Sequence, residues 1–162
     1  MATEMVSWML AIPLLGFATG LRTMTPMAVL CWYSWLRALP VEGTWAFWVG
    51  KLVTAVVFTV LAAGELIADK LPQTPSRVSA FPLAARLVFG GLVGAISAIS
   101  LEGPGLEGVV LGVVGAAIGA FVGFMLRRHL VSSFDCADWK IAVPEDLIAI
   151  VCALFAAHVI TN

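Results

Sequence analysis

Apolar runs alternate with short polar interruptions along the whole chain. The first run, Met5 to Thr19, ends at GLRTMTP, residues 20–26, and a second short run, Met27 to Leu39, stops at Pro40. One uninterrupted helix over Met5 to Leu39 would be about 50 Å long, against a bilayer core of about 30 Å. The spacing therefore predicts a break near Pro26, giving either two short crossings or a re-entrant pair. Trp45 to Gly64 forms a third run, opened by Trp45 and Trp48 and lying near Trp32, Tyr33 and Trp35, a set that suits an interfacial aromatic belt. The polar stretch Gly64 to Arg86 precedes a fourth run, Leu83 to Ser100, and the LEGPGLEG connection after it reads as a turn. A fifth run, Gly108 to Leu126, leads into Arg127, Arg128, His129 and a polar loop with Asp135, Asp138 and Lys140. After Pro144, Glu145 and Asp146 open a last run, Leu147 to Ile160.

The fold class expected from this pattern is an all-α, polytopic transmembrane helical bundle of about six membrane segments. The first pair is short and broken, and residues 1–162 form a single integral membrane domain. Composition strengthens the membrane reading: 61% of residues are hydrophobic, 12% charged, and mean hydropathy is +1.03, outside the soluble range. Three runs on each side of the central polar stretch give the arithmetic of an inverted repeat. Thr25-Pro26-Met27-Ala28 against Phe81-Pro82-Leu83-Ala84 is the best local echo, and six runs without a repeat fit as well.

Charge orients the chain. Arg22, then Lys70, Arg77 and Arg86, then Arg127, Arg128 and Lys140 fall on alternate connections, opposite Glu42, Glu102 and Glu107, with Arg37 and Lys51 near the edges of that opposite side. The positive-inside rule puts the basic connections in the cytoplasm and both termini outside. A net charge of −1 makes no case for nucleic acid. Glu4 and the lack of Lys or Arg ahead of the first run argue against a cleaved signal peptide. Cys31, Cys136 and Cys152 form no pair or cluster at metal-ligand spacing, so they read as packing residues with no metal or cofactor implied.

Two constellations stand out. Gly108, Gly112, Gly115, Gly119 and Gly123 follow spacings of four, three, four and four, a glycine-zipper face that lets a second helix approach backbone to backbone. That partner is either internal, the favoured case, or another copy in a homo-oligomer. In GELIADK, Glu65 and Asp69 share a helix face, with Lys70 on its neighbouring side. These carboxylates either bind a cation or relay protons, or sit on a helix that has already met water. Thr74, Ser76 and Arg77 suit a phosphate or carboxylate. Arg86, inside an apolar run, must snorkel or pair with Glu65 or Asp69. Arg22 divides between a binding role and plain anchoring, and Glu145 and Asp146 between a binding role and complementing the dipole of a helix they open. His129, beside Arg127 and Arg128, reads as an interfacial anchor or anionic-lipid contact, and His158 as a packing residue.

No nucleophile–base arrangement, HExxH, Walker loop or dinucleotide fingerprint is present, so catalytic residues are not assigned. Lys70 and Arg77 share the spacing of the first motif of phosphatidic-acid-type membrane phosphatases. Val78 replaces that motif's proline and the later motifs are missing, which rejects the match.

GLRTMTPMAVL, GELIADKLPQTPSR, Arg86 with a Gly-rich fifth segment, and PEDLIAI together resemble a family of small bacterial integral membrane proteins, domain of unknown function number four-one-two-six. The resemblance covers most of the chain. It implies the bacterial inner membrane and marks Arg22, Glu65, Asp69, Lys70, Glu145 and Asp146 as matching positions, without supplying a mechanism. The function expected is transport or conduction of a small ion or solute, with a non-catalytic membrane scaffold or lipid-binding protein as the alternative.

Overall fold

Six α-helices and one 3-10 turn form among the described residues of the computed structural model, which covers 2–69, 78–134 and 138–161. They are α1 (Ala2–Leu21), α2 (Met24–Trp35), α3 (Leu52–Ala68), α4 (Ala80–Ser100), α5 (Gly105–Phe134) and α6 (Asp138–Thr161), with the 3-10 turn at Phe47–Gly50. Among these residues no strand occurs. Three helical stretches, Ala80–Ser100, Gly105–Ser133 and Lys140–Thr161, are long and apolar enough to cross a membrane.

Several helix boundaries depart from the apolar runs. The first break falls at Arg22 and Thr23, ahead of Pro26, which is the third residue of α2. Proline is tolerated there because the first-turn N–H groups have no intrahelical acceptor to lose. At 12 residues, α2 rises about 18 Å, too little to span a bilayer core. The stretch before Leu52 is turns and 3-10 backbone rather than the start of the third helix. Arg127, Arg128 and His129 continue α5 instead of entering a loop. Likewise α6 starts at Asp138 with Pro144 inside it, so Glu145 and Asp146 lie in its body and do not cap its first turn.

On α5 and α6 small residues face inward and large ones outward, the reverse of a soluble helix. On α5, Gly108, Gly112, Gly115 and Gly119 are buried, whereas Val110, Val114, Ile118 and Phe121 are exposed. On α6, Ala149, Ala153, Ala156 and Ala157 are fully buried while Leu147, Val151, Leu154 and Phe155 point out. In a bilayer this arrangement places bulky side chains against lipid and lets backbones meet.

The glycine face of α5 is filled within the chain on two sides. Gly108 and Gly112 abut Gly90 and Gly94 of α4; Gly112, Gly115 and Gly119 abut Pro13, Gly16, Phe17 and Gly20 of α1. A Cβ added at Gly16 would lie 3.0 Å from the Gly112 Cα, and one at Gly112 would lie 3.1 Å from the Gly94 Cα. Gly123 is buried further along the same helix. Beside this three-helix seam, Leu15, Met27, Leu30, Cys31, Val49, Val93 and Ile96 form the apolar core together with the α6 alanines. Buried hydroxyls bond back to their own helices, Thr19 to the Leu15 carbonyl and Ser97 to that of Val93, which meets their hydrogen-bonding need without a partner helix.

Candidate functional site

The break between α1 and α2 exposes backbone donors in an apolar bundle, and α3 supplies the acceptor. Glu65 accepts hydrogen bonds from the Thr23 N–H through Oε1 and the Met24 N–H through Oε2, both at 2.8 Å. It therefore caps α2 from 42 residues away, a role usually taken by a local Ser, Thr or Asp, and its charge complements the positive end of the helix dipole. Thr23 makes no side-chain cap of its own. Replacing Glu65 with Gln keeps the shape but leaves one neutral acceptor. The expected cost is about 0.5–2 kcal/mol, with faster amide exchange at Thr23 and Met24. Unchanged exchange at both amides would refute the capping role.

Arg22 occupies the break itself and is fully buried. Its Nε donates to Asp146 Oδ1 at 2.6 Å, and its Nη2 makes ion pairs with Asp146 and, at 2.8 Å, with Asp69 Oδ2. The same Asp69 oxygen receives Arg127 Nη1 at 2.5 Å, and that nitrogen lies 3.9 Å from Glu145 Oε2. The pairs thus form a chain, Asp146–Arg22–Asp69–Arg127–Glu145, linking the α1–α2 break with α3, α5 and α6. Arg86, 5% exposed, donates through Nη1 to the Gly20 carbonyl at 2.6 Å and places Nη2 3.8 Å from Glu65. Its donor to Gly20 ties α4 to the end of α1.

Glu65 and Asp69 do share a face of α3, as their spacing predicts, but they serve different partners. Glu145 and Asp146 are adjacent, and a helical turn of about 100° between neighbours directs one toward Arg127 and the other toward Arg22. Among the sequence-predicted site residues, Arg22, Glu65, Asp69, Arg86, Glu145 and Asp146 are brought together. Lys70 and Arg77, with Thr74 and Ser76, lie outside the described residues.

Arg127 is the residue that sequence reading leaves out of the site, assigning it to a basic loop. A signal was present: it lies four residues beyond Gly123 and extends the buried stripe of Gly112, Gly115 and Gly119. Gly16 and Gly20 carry a similar signal on α1, four residues apart and matched to Gly112 and Gly119.

Two features leave the site chemically open. Arg22 Nη1 and Arg86 Nε are buried without a hydrogen-bond partner, unusual for groups whose desolvation is expensive. Next to the ion-pair chain, a cleft of about 180 Å³ runs between α1, α5 and α6. Its walls include Phe17, Leu21, Leu126, Ile141 and Ile148, and among the described residues its charged lining is Arg127 and Glu145. Among the described residues no group of three or more His, Cys, Asp or Glu is disposed to hold a metal ion.

The sequence model of one family, described as a domain of unknown function (DUF4126), matches residues 9–159. No curated protein and no solved structure matches the chain.

Proposed function

The chain belongs to the DUF4126 family, and we propose that it is a small multi-pass transporter or channel-like protein for a small ion or solute, working at the Arg22 ion-pair chain. The observation that carries this reading is a fully buried guanidinium at a helix break, shared between carboxylates of two other helices. Ion pairs withdrawn from water contribute little net stability compared with well-packed apolar residues, so their presence deep in a helical bundle points to traffic of charge. Asp69 is the exchangeable centre. A proton or cation arriving there competes with Arg22 and Arg127, and the partner switch loosens α1–α2 from α3 and α5. An anionic group on a solute has two buried donors to meet, Arg22 Nη1 and Arg86 Nε. A location in the bacterial inner membrane with this end toward the cytoplasm belongs to the same proposal, supported by the alternation of basic connections along the sequence and by Arg22, Arg86 and Arg127 at this site.

The alternative is a lipid-binding or scaffold protein, favoured by one observation, the apolar cleft with Arg127 and Glu145 at its margin, where an acyl chain and an anionic headgroup would fit. In that reading a homo-oligomer would assemble through surfaces other than the glycine face, which α1 and α4 already cover.

Proteoliposomes carrying the full chain separate the two. Transport predicts a proton or small-ion flux above empty liposomes, reduced at least about tenfold by Asp69→Asn, the size of a lost charge-assisted contact of 1.4 kcal/mol or more. Wild-type liposomes that pass no proton, alkali cation, halide or small carboxylate would sink the transport reading. Retention of anionic lipid lost on Arg127→Gln, with Asp69→Asn silent, would favour the lipid-binding one.

A further inference from the structure

α2 has a second functional end. Its N-terminus meets the ion-pair chain; its C-terminus, about 18 Å away along the helix axis, opens into a separate polar pocket of about 450 Å³ lined by Ser34, Trp35, Arg37, Glu42, Phe47 and Lys51, with Gly43 and Gly50. The turn that builds this pocket is a Schellman motif: the Ala38 N–H donates to the Tyr33 carbonyl at 2.9 Å and the Arg37 N–H to the Ser34 carbonyl at 3.0 Å. The left-handed position of that motif normally belongs to glycine. Here it is Arg37, at φ 61°. A long cationic side chain is thus kept where the backbone disfavours it, in the rim of a pocket.

The pocket's polar side chains have no partners among the described residues. Arg37, Glu42 and Lys51 form no side-chain ion pair or hydrogen bond with other described residues. Ser34, only 6% exposed, has a buried hydroxyl without a hydrogen-bond partner, beside Gly50, where an added Cβ would come within 3.0 Å of that oxygen. Two cations and one carboxylate therefore face a common space without neutralising one another. An oxyanion alone would satisfy Arg37, Lys51 and the Ser34 hydroxyl and leave Glu42 facing it; a cation alone would do the reverse. From this we infer that the pocket binds a zwitterionic group, an oxyanion with a neighbouring ammonium. The oxyanion meets Arg37, Lys51 and Ser34, and the ammonium meets Glu42 with the Trp35 and Phe47 rings at its side. The lining residues Trp35 and Phe47 are exposed, as are Leu36 and Trp45 nearby in the sequence, aromatic and apolar groups suited to a membrane–water interface. The same chemistry thus reaches the pocket from two sources, a free zwitterion or the headgroup of a phosphatidylethanolamine molecule.

The site is independent of the transport reading, and so is its test. The full chain in detergent is titrated calorimetrically with phosphoethanolamine and with inorganic phosphate. In parallel, the chain recovered from vesicles of equal phosphatidylethanolamine and phosphatidylglycerol is scored for retained lipid by native mass spectrometry. Wild type is expected to bind phosphoethanolamine, to retain phosphatidylethanolamine over phosphatidylglycerol, or both; binding without retention identifies a free solute, retention a headgroup. Arg37→Gly suits the left-handed backbone and keeps the turn, so an undiminished unfolding midpoint with at least tenfold weaker binding or retention is expected. Lys51→Gln reads the same interaction without touching the turn. Glu42→Gln should weaken phosphoethanolamine binding and spare that of phosphate. The inference is overturned if wild type shows neither binding nor selective retention, if Arg37→Gly and Lys51→Gln match wild type, or if Glu42→Gln leaves the preference for the zwitterion unchanged.

Discussion

Arg22→Met is expected to be the most damaging single substitution in the polar part of the chain, lowering stability by about 3–5 kcal/mol. The methionine fills much of the space, so the loss is electrostatic. Asp146 loses the Nε bond at 2.6 Å and the paired Nη2, and Asp69 is left to Arg127. Because these charges join the ends of α1, α3 and α6 at the break, those ends should separate together and the transition should broaden as well as shift. The double variant Arg22→Met with Asp146→Leu also removes the carboxylate that Arg22 served and should recover about 1 kcal/mol or more, the coupling expected of directly paired groups. Thermal unfolding of the purified protein in one detergent reads both. A double variant less stable than the single one would show that the pair is not what holds this end together.

Gly112 is the second position of large expected effect, for a steric reason. It is flanked on both sides, by Gly16 of α1 and by Gly90 and Gly94 of α4. A Cβ there meets the Gly90 carbonyl and lies 3.1 Å from the Gly94 Cα, atoms of rigid helix backbone that cannot swing away. Gly112→Ala should cost about 1–3 kcal/mol, the range for overpacking a filled core. Gly112→Leu should prevent recovery of folded protein, since two interfaces would have to open. Gly64→Ala is the control: it also adds a methyl to a helix glycine, yet nothing lies within 4 Å of the new atom, so the higher helix propensity of alanine should stabilise by about 0.5–1 kcal/mol. Equal effects at positions 64 and 112 would mean that close backbone approach is not what holds α5 between α1 and α4.

Much of the fold is legible because hydropathy and turn chemistry are local. The LEGPGLEG connection falls where α4 ends at Ser100 and α5 begins at Gly105, and the apolar runs each correspond to a helix. Helix ends near charge are less legible. Arg127 to His129 read as a loop because they are polar, and Pro144 as a helix start because proline favours first turns; in the structure α5 and α6 carry those residues as helix, with Arg127 paired to Asp69 and Glu145. Pro26 misleads in the opposite direction. It marks the break, but the chain turns at Arg22 and Thr23, where Glu65 takes up the freed N–H groups.

What this sequence determines by itself is a membrane-like set of apolar helices, the glycine face of α5, and the placing of Arg22, Glu65, Asp69, Arg86, Glu145 and Asp146 within or beside the apolar runs. All of these follow from periodicities and compositions within single segments. Only the tertiary structure decides that Arg22 joins Asp146 across 124 positions, that Glu65 caps α2, that Arg127 completes the ion-pair chain, and that the glycine face is occupied inside one chain. The reason is geometric. Which charge meets which depends on how far each helix is rotated and slid against its neighbours, and that register is set where Gly16, Gly94 and Gly112 let three backbones touch.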